Sequence, residues 1–246
     1  MPIDGRQDTG YRLLFSEPRM VRDLCRGFLR EEWIGWLDLD SLERSERSAA
    51  GLPLDPLDEA PVWRLRWAGG SDWVYLLLSF EAEEDPWMAL RMGFYRELLY
   101  QKLLRRRGTA SPPRLPVALP IVLYHGAARW QAPGEAVELF LPLPAPLQRH
   151  APRTRYLLLD AAHDPIPEGA GEDNLVSLLC KLERSRTAAA VDYLLGQLVT
   201  FLSGPADEPL RHIWSTFLGR SFLPRRFPHL FTAAMVEAER VGGVLA

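Results

Sequence analysis

The stretch WVYLLLSFEAEEDPWMALRM, residues 73–92, decides the architecture. It opens with an almost continuous apolar run, Trp73 to Phe80. A run that is apolar on both faces describes a central strand covered on both sides. Just before it, VWRLRW (62–67) alternates: Trp63, Leu65 and Trp67 take one face, and Val62, Arg64 and Arg66 the other. That period of two predicts a strand, and AGGSD (68–72) between the runs predicts a hairpin turn. Beyond the second strand the chain collects Glu81, Glu83, Glu84 and Asp85. Carboxylates gathered at a strand end are what a metal-dependent enzyme would place there. The same acids also suit the N-terminus of the helix that follows. Asp85 is a natural N-cap and Pro86 a natural first residue for a helix to Arg107. Met88, Met92, Tyr95, Leu99 and Leu103 form its inward stripe.

Working outward, Tyr11 to Phe15 reads as a short apolar turn, with Ser16 capping a helix that has Pro18 in its first turn. Residues 37–61, which include Gly51, Pro53, Pro56 and Pro61, lack a long apolar period and read as mostly loop. LPVALPIVLYHG (115–126) and RYLLLD (155–160) predict two more strands, the first ended by Gly126. PIPEGAGED (165–173) is a loop. Helices follow over Asn174 to about Arg186 and about Ala188 to Ser203, the second turning Leu194, Leu195, Leu198, Phe201 and Leu202 inward. The tail from Pro209 reads as helical to Leu218, interrupted by Pro224 and Pro228. The pattern predicts an α/β core with a mixed sheet and a helical C-terminal part. The boundaries expected are 8–165 for the core and 172–246 for the helical part packed on it.

The 246 residues are 47% hydrophobic and 25% charged, ordinary for a globular chain. A chain of this length buries enough surface to fold without disulfide or metal. The net charge of −3 gives no global positive field to draw in nucleic acid. Cys25 and Cys180 lie in apolar settings and read as buried free thiols of a reducing compartment. MPIDGRQDTG carries no apolar signal run, and no stretch reaches the length of a membrane span. The expectation is a cytoplasmic protein with no membrane partner. No glycine loop for phosphate is present. His150, His163, His212 and His229 lack metal-ligand spacing, and His125 reads as a turn residue.

YRLLFSEPRMVRDLCRGFL, VWRLRW, WVYLLLSFEAEEDPWMALRM, LPIVLYHGAARWQAP and RYLLLD occur in this order over about Asp8 to Leu202. Together they resemble the bacterial Rpn family of recombination-promoting nucleases, PD-(D/E)XK nuclease family or YhgA-like transposases. The resemblance implies a restriction-endonuclease-like fold, a mixed central sheet flanked by helices. It implies Mg²⁺-dependent cleavage of DNA, with an Asp opening one hairpin strand and a Glu-x-Gln on its partner. Two carboxylates would hold the ion and the third group would orient the attacking water.

Here the positions implied for Asp, Glu and Gln are Ala60, Ser79 and Glu81, and an N-terminal His-Asp reads Gln7-Asp8. Every expected catalytic position is changed, while the motifs around them stand. Asp58 has the right parity to substitute for Ala60, whereas the nearer Glu59 would need a bulge to turn inward. Glu81 and Glu83 alternate on the face of Ser79, so a shifted site of Asp58, Glu81 and Glu83, with Asp58 and Glu81 on Mg²⁺, is conceivable. Arg64, Arg66 and Arg91 are the candidates for DNA-backbone contact. Three readings stay open. The first is a catalytically impaired family member that keeps DNA binding or self-association as a homodimer, or is the product of a decaying mobile element. The second is an active nuclease using the displaced acids. The third is a non-catalytic interaction protein that kept the fold.

Overall fold

The computed structural model describes residues 5–29, 32–45, 61–67, 70, 72–107, 114–142, 144–171 and 173–228. Five strands form one mixed sheet in the order β1-β2-β3-β4-β5: Leu37–Arg44, Val62–Trp67, Trp73–Glu81, Val117–Tyr124 and Leu157–Asp160. β2 runs antiparallel to both of its neighbours, β1 and β3, with Val62 opposite Leu77 and Arg66 opposite Trp73. β3, β4 and β5 are parallel, so Glu81 lies opposite Tyr124, and Tyr124 opposite Asp160. Three C-terminal strand ends therefore share one edge, where open α/β sheets place their ligands.

The helices are α1 (Gly5–Leu14), α2 (Pro18–Phe28), α3 (Met88–Arg107), α4 (Ala145–Gln148), α5 (Leu175–Arg184), α6 (Ala188–Phe201), α7 (Glu208–Phe217) and α8 (Leu223–Arg226). The crossover helix α3 covers one face of the sheet. Met88, Met92 and Leu99 pack there on Tyr75, Leu77 and Val122, with Tyr95 and Leu103 partly buried beside them. The opposite face carries Leu76, Leu78, Phe80, Ile121 and Leu123. They share one apolar cluster with Leu14, Met20 and Leu24 of α1 and α2, Leu178 and Leu179 of α5, and Trp214 and Phe217 of α7. The alternation along β3 thus sorts its side chains between two cores. Truncating any one of these buried large side chains to alanine would cost about 2–5 kcal/mol. This is an α/β fold of the restriction-endonuclease-like kind, with a helical C-terminal part.

Several local expectations need correction. Residues Gly5–Leu14 are a helix, not a turn: Tyr11 and Leu14 are fully buried, and their tertiary packing outweighs the two glycines. Ser16 does not cap α2. Its hydroxyl donates to the Leu13 carbonyl at 2.6 Å, and Glu17 holds the cap position without a side-chain bond. LDLDSLER (37–44) is an edge strand, not a loop. Its pairing with β2 shifts register between Asp38 and Glu43, which breaks the alternation that would have revealed it. Pro224 does not interrupt the tail helix. A π-helical turn over Leu218–Phe222 carries the chain on from α7 into α8, with Pro224 in the first turn of α8.

Candidate functional site

β3 carries Ser79 and Glu81 on the face turned towards α3, because they continue the parity of Tyr75 and Leu77. The strand ends at Glu81 and a bend follows. Asp85 then starts the return: its Oδ1 accepts from the Trp87 amide at 2.8 Å, and Met88 N–H donates to the Asp85 carbonyl at 3.1 Å. This capping turn brings α3 back over the strand end and delivers Arg91 to it.

The Arg91 Nη2 lies 2.5 Å from Glu81 Oε1, and Nε lies 3.3 Å from Asp85 Oδ2. Ser79 Oγ donates to the same Glu81 Oε1 at 2.6 Å. Burial works against charge on Arg91, but Glu81 and Asp85 outweigh it and raise its pKa above the ordinary arginine value. Next door, the Gln131 amide donates to Glu84 Oε2 at 2.5 Å. Burial, with help from Asp160, Glu84 and Glu83, raises the Tyr124 hydroxyl above its usual range. Gly126 makes room at this edge: a Cβ there would sit 2.2 Å from the Tyr124 hydroxyl and 2.5 Å from the Ala82 carbonyl.

Of the acids expected to form a shifted site, Glu81 is at the strand end. Glu83 lies in the bend beyond it and is exposed, off the regular alternation. Asp58, with Glu59 and Ala60, lies outside the described residues, as do the side chains of Gln7 and Asp8. Among the described residues no three His, Cys, Asp or Glu side chains cluster as a metal group would. The donor set around Glu81 suits a salt bridge better than a cation. One carboxylate oxygen already takes a hydroxyl proton and a guanidinium, and a divalent ion placed there would face the arginine's positive charge.

The three arginines expected at DNA do not converge. Arg64 is held by Glu43, at 2.6 Å from Nε and 2.5 Å from Nη2, and lies 4.4 Å over the Trp73 ring. Arg66 stacks over the same ring at 5.2 Å. Arg66 is opposite Trp73, eight residues along β3 from Glu81, or about 26 Å at strand rise. Arg64 and Arg66 therefore belong to one end of the sheet and Arg91 to the other.

A second polar cluster, on the opposite face of the same sheet edge, escaped the sequence reading. The Tyr11 hydroxyl donates to Glu183 Oε1 at 2.6 Å, and Arg225 Nη2 pairs with the same oxygen. Arg225 Nη1 lies 2.8 Å from His125 Nδ1, and the His125 ring stacks on Tyr11 at 4.1 Å. Burial, and secondarily Arg225, lowers the His125 pKa to about 3, so the ring is neutral. Burial and Glu183 drive the Tyr11 hydroxyl well above its ordinary value. His125 is thus a buried wedge between α1 and α8. The only hint in the sequence was its place after an all-apolar strand. Asp160, at the end of β5, is also internally satisfied: it accepts from the Trp130 amide and lies 2.8 Å from His163 Nδ1. Cys25 and Cys180 are buried and free, each thiol pushed up to about 12 by burial. Among the described residues no helix is long and apolar enough to cross a membrane.

Residues 6–208 match the family described as "Putative transposase, YhgA-like". A 120-residue stretch is 24% identical to a protein of Escherichia coli O157:H7 named recombination-promoting nuclease RpnD. That match covers 49% of this chain and 45% of the relative, under half its length. No solved structure matches.

Proposed function

The chain belongs to the YhgA-like transposase family, and we propose that in this member the nuclease centre has become a closed salt bridge, leaving a DNA-binding protein impaired in cleavage. The observation that carries this reading is Arg91 on Glu81. Where the family resemblance calls for a carboxylate pair on a cation, the strand end presents Ser79 and Glu81, and a guanidinium fixed by α3 neutralises the remaining acid. The ion pair is partly buried, so Arg91 is not a freely offered phosphate contact. DNA affinity then rests on other cations, Arg66 beside Trp73 among them. The name of the relative, a recombination-promoting nuclease, supports DNA as the partner class.

The test is nicking of supercoiled plasmid by the purified protein with Mg²⁺ or Mn²⁺, alongside DNA binding across a salt series. The expected result is no nicking, with binding that weakens linearly in log salt as phosphate counterions are released. The triple change Ala60→Asp, Ser79→Glu, Glu81→Gln is expected to restore nicking. Cleavage by the unaltered chain that is lost in Glu81→Ala and with chelator would refute the proposal. It would favour the displaced-acid site of Asp58, Glu81 and Glu83.

A further inference from the structure

The connection between α5 and α6 carries positive charge that nothing beside it cancels. Ser185 ends α5, Thr187 caps α6, and Arg186 stands exposed between them. Arg226 of α8 is tied to the same connection. Its Nε donates to the Ser185 carbonyl at 2.7 Å, and its Nη2 donates to that carbonyl too. The charges that act on Arg226 are Arg186, Arg225 and Glu183. Glu183 is already spent: its Oε1 takes both Arg225 and the Tyr11 hydroxyl. Arg186 and Arg226 are left as neighbours with no carboxylate of their own among the described residues. Burial first, then Arg186 and Arg225, lower the Arg226 pKa from the ordinary arginine value. Arg64, Arg91 and Arg225 each gain a carboxylate and are shifted the other way.

Like charges side by side work against the fold unless an anion joins them. The Ser185 carbonyl fixes the plane of the Arg226 guanidinium and leaves its Nη1 side unspent, a fork that suits phosphate. The pair also borders the C-terminal edge of the sheet. Arg184, next to Ser185, donates to the carbonyls of Ala161 and Asp164, just past β5. Arg225, next to Arg226, reaches His125, just past β4. Arg129 stands on the same edge, its side chain 66% exposed and held only at 3.8 Å by Asp164. Its neighbour Trp130 ties it there, through an amide bond to Asp160 at the end of β5. Glu81 ends β3 on this edge as well. With a net charge of −3, the chain can meet a polyanion only through such a local patch. We infer that Arg129, Arg186 and Arg226 form a phosphate track, along which a DNA backbone lies on the C-terminal edge of the sheet. The inference rests on the DNA-binding reading above and says where on the chain that backbone runs. Contacts of this kind set affinity and register, not sequence preference.

The test is fluorescence anisotropy of a short labelled DNA duplex, titrated with the full chain across a salt series. Arg186→Gln should lower the log–log salt slope by about one, and Arg129→Gln with Arg186→Gln by about two. Arg226→Gln should lower it by about one as well. Arg129 and Arg186 are exposed, so the double variant should keep its circular dichroism spectrum and melting midpoint. The loss should be equal for duplexes of unrelated sequence. DNA bound by the unaltered chain, with slope and affinity the same in the double variant, would overturn the track and leave the DNA-binding reading standing. No DNA bound by the unaltered chain would overturn both.

Discussion

Two arginine–carboxylate pairs sit on opposite faces of one sheet edge, and they are built differently. Glu81 and Arg91 lie towards α3, with side chains 15% and 32% exposed; Glu183 and Arg225 lie among α1, α5 and α8, at 5% and 23%. The first pair joins residues ten apart, in a strand and the helix that follows it. The second joins α5 to the C-terminal α8, and Tyr11 and His125 close around it. The inner pair is a lock that holds the helical C-terminal part on the sheet. The outer pair stands at the C-terminal end of β3, the place at which the family resemblance implies a site. The same chemistry sits deep in the core on one side and at a partly exposed strand end on the other, where the function proposed above makes it a neutralised site.

Breaking the inner lock should have the largest effect. Arg225→Ala strands Glu183 in a buried setting and should cost about 3–5 kcal/mol, read by urea denaturation. Replacing both partners, Glu183→Leu with Arg225→Met, should recover only part of that loss: no buried charge is left alone, but the Tyr11 hydroxyl loses its acceptor.

Acid should come next, and it should act on the inner side. His125 is held near 3 in the folded chain against about 6.5 when unfolded. Below 6.5 the unfolded chain takes up the proton first, so stability is complete above that pH and falls as pH drops towards 3. Each pH unit in that window costs about 1.4 kcal/mol from this group, or about 2 kcal/mol between 6.5 and 5. His125→Asn should flatten that slope in denaturation curves taken at several pH values.

The outer pair should barely register in stability. Arg91→Ala should cost no more than about 1 kcal/mol, because the pair is partly exposed and water screens what is lost. A loss as large as that of Arg225→Ala would erase the distinction between the two pairs. The smallest effect expected is at DNA: Arg66→Ala should lower the salt slope of binding by about one, without changing sequence preference.

The hairpin and α3 were legible in the sequence because each carries a local signal: the alternation of VWRLRW, the apolar run of β3, and Asp85-Pro86 before a helical stripe. Helix caps at Asn174 and Thr187 are present and bonded to Ser177 and Ala190. β1 was hidden because an edge strand with one wet face needs few apolar residues, and its register shift spoils the rest. α1 was hidden because its helix depends on partners from α7 and β3 rather than on its own propensity. At the site, the position of Ser79 and Glu81 on one strand face could be read from parity. The partner of Glu81 could not, since it depends on how α3 returns over the sheet. Glu183 and Arg225 are 42 residues apart, and nothing local to either names the other.

The most direct measurement is Mn²⁺ binding by the unaltered protein and by Arg91→Ala and Glu81→Ala, followed by electron paramagnetic resonance or calorimetry. No Mn²⁺ should bind at this strand end while Arg91 holds Glu81, so Glu81→Ala should leave the titration unchanged. Mn²⁺ bound by the unaltered chain and lost in Glu81→Ala would contradict this.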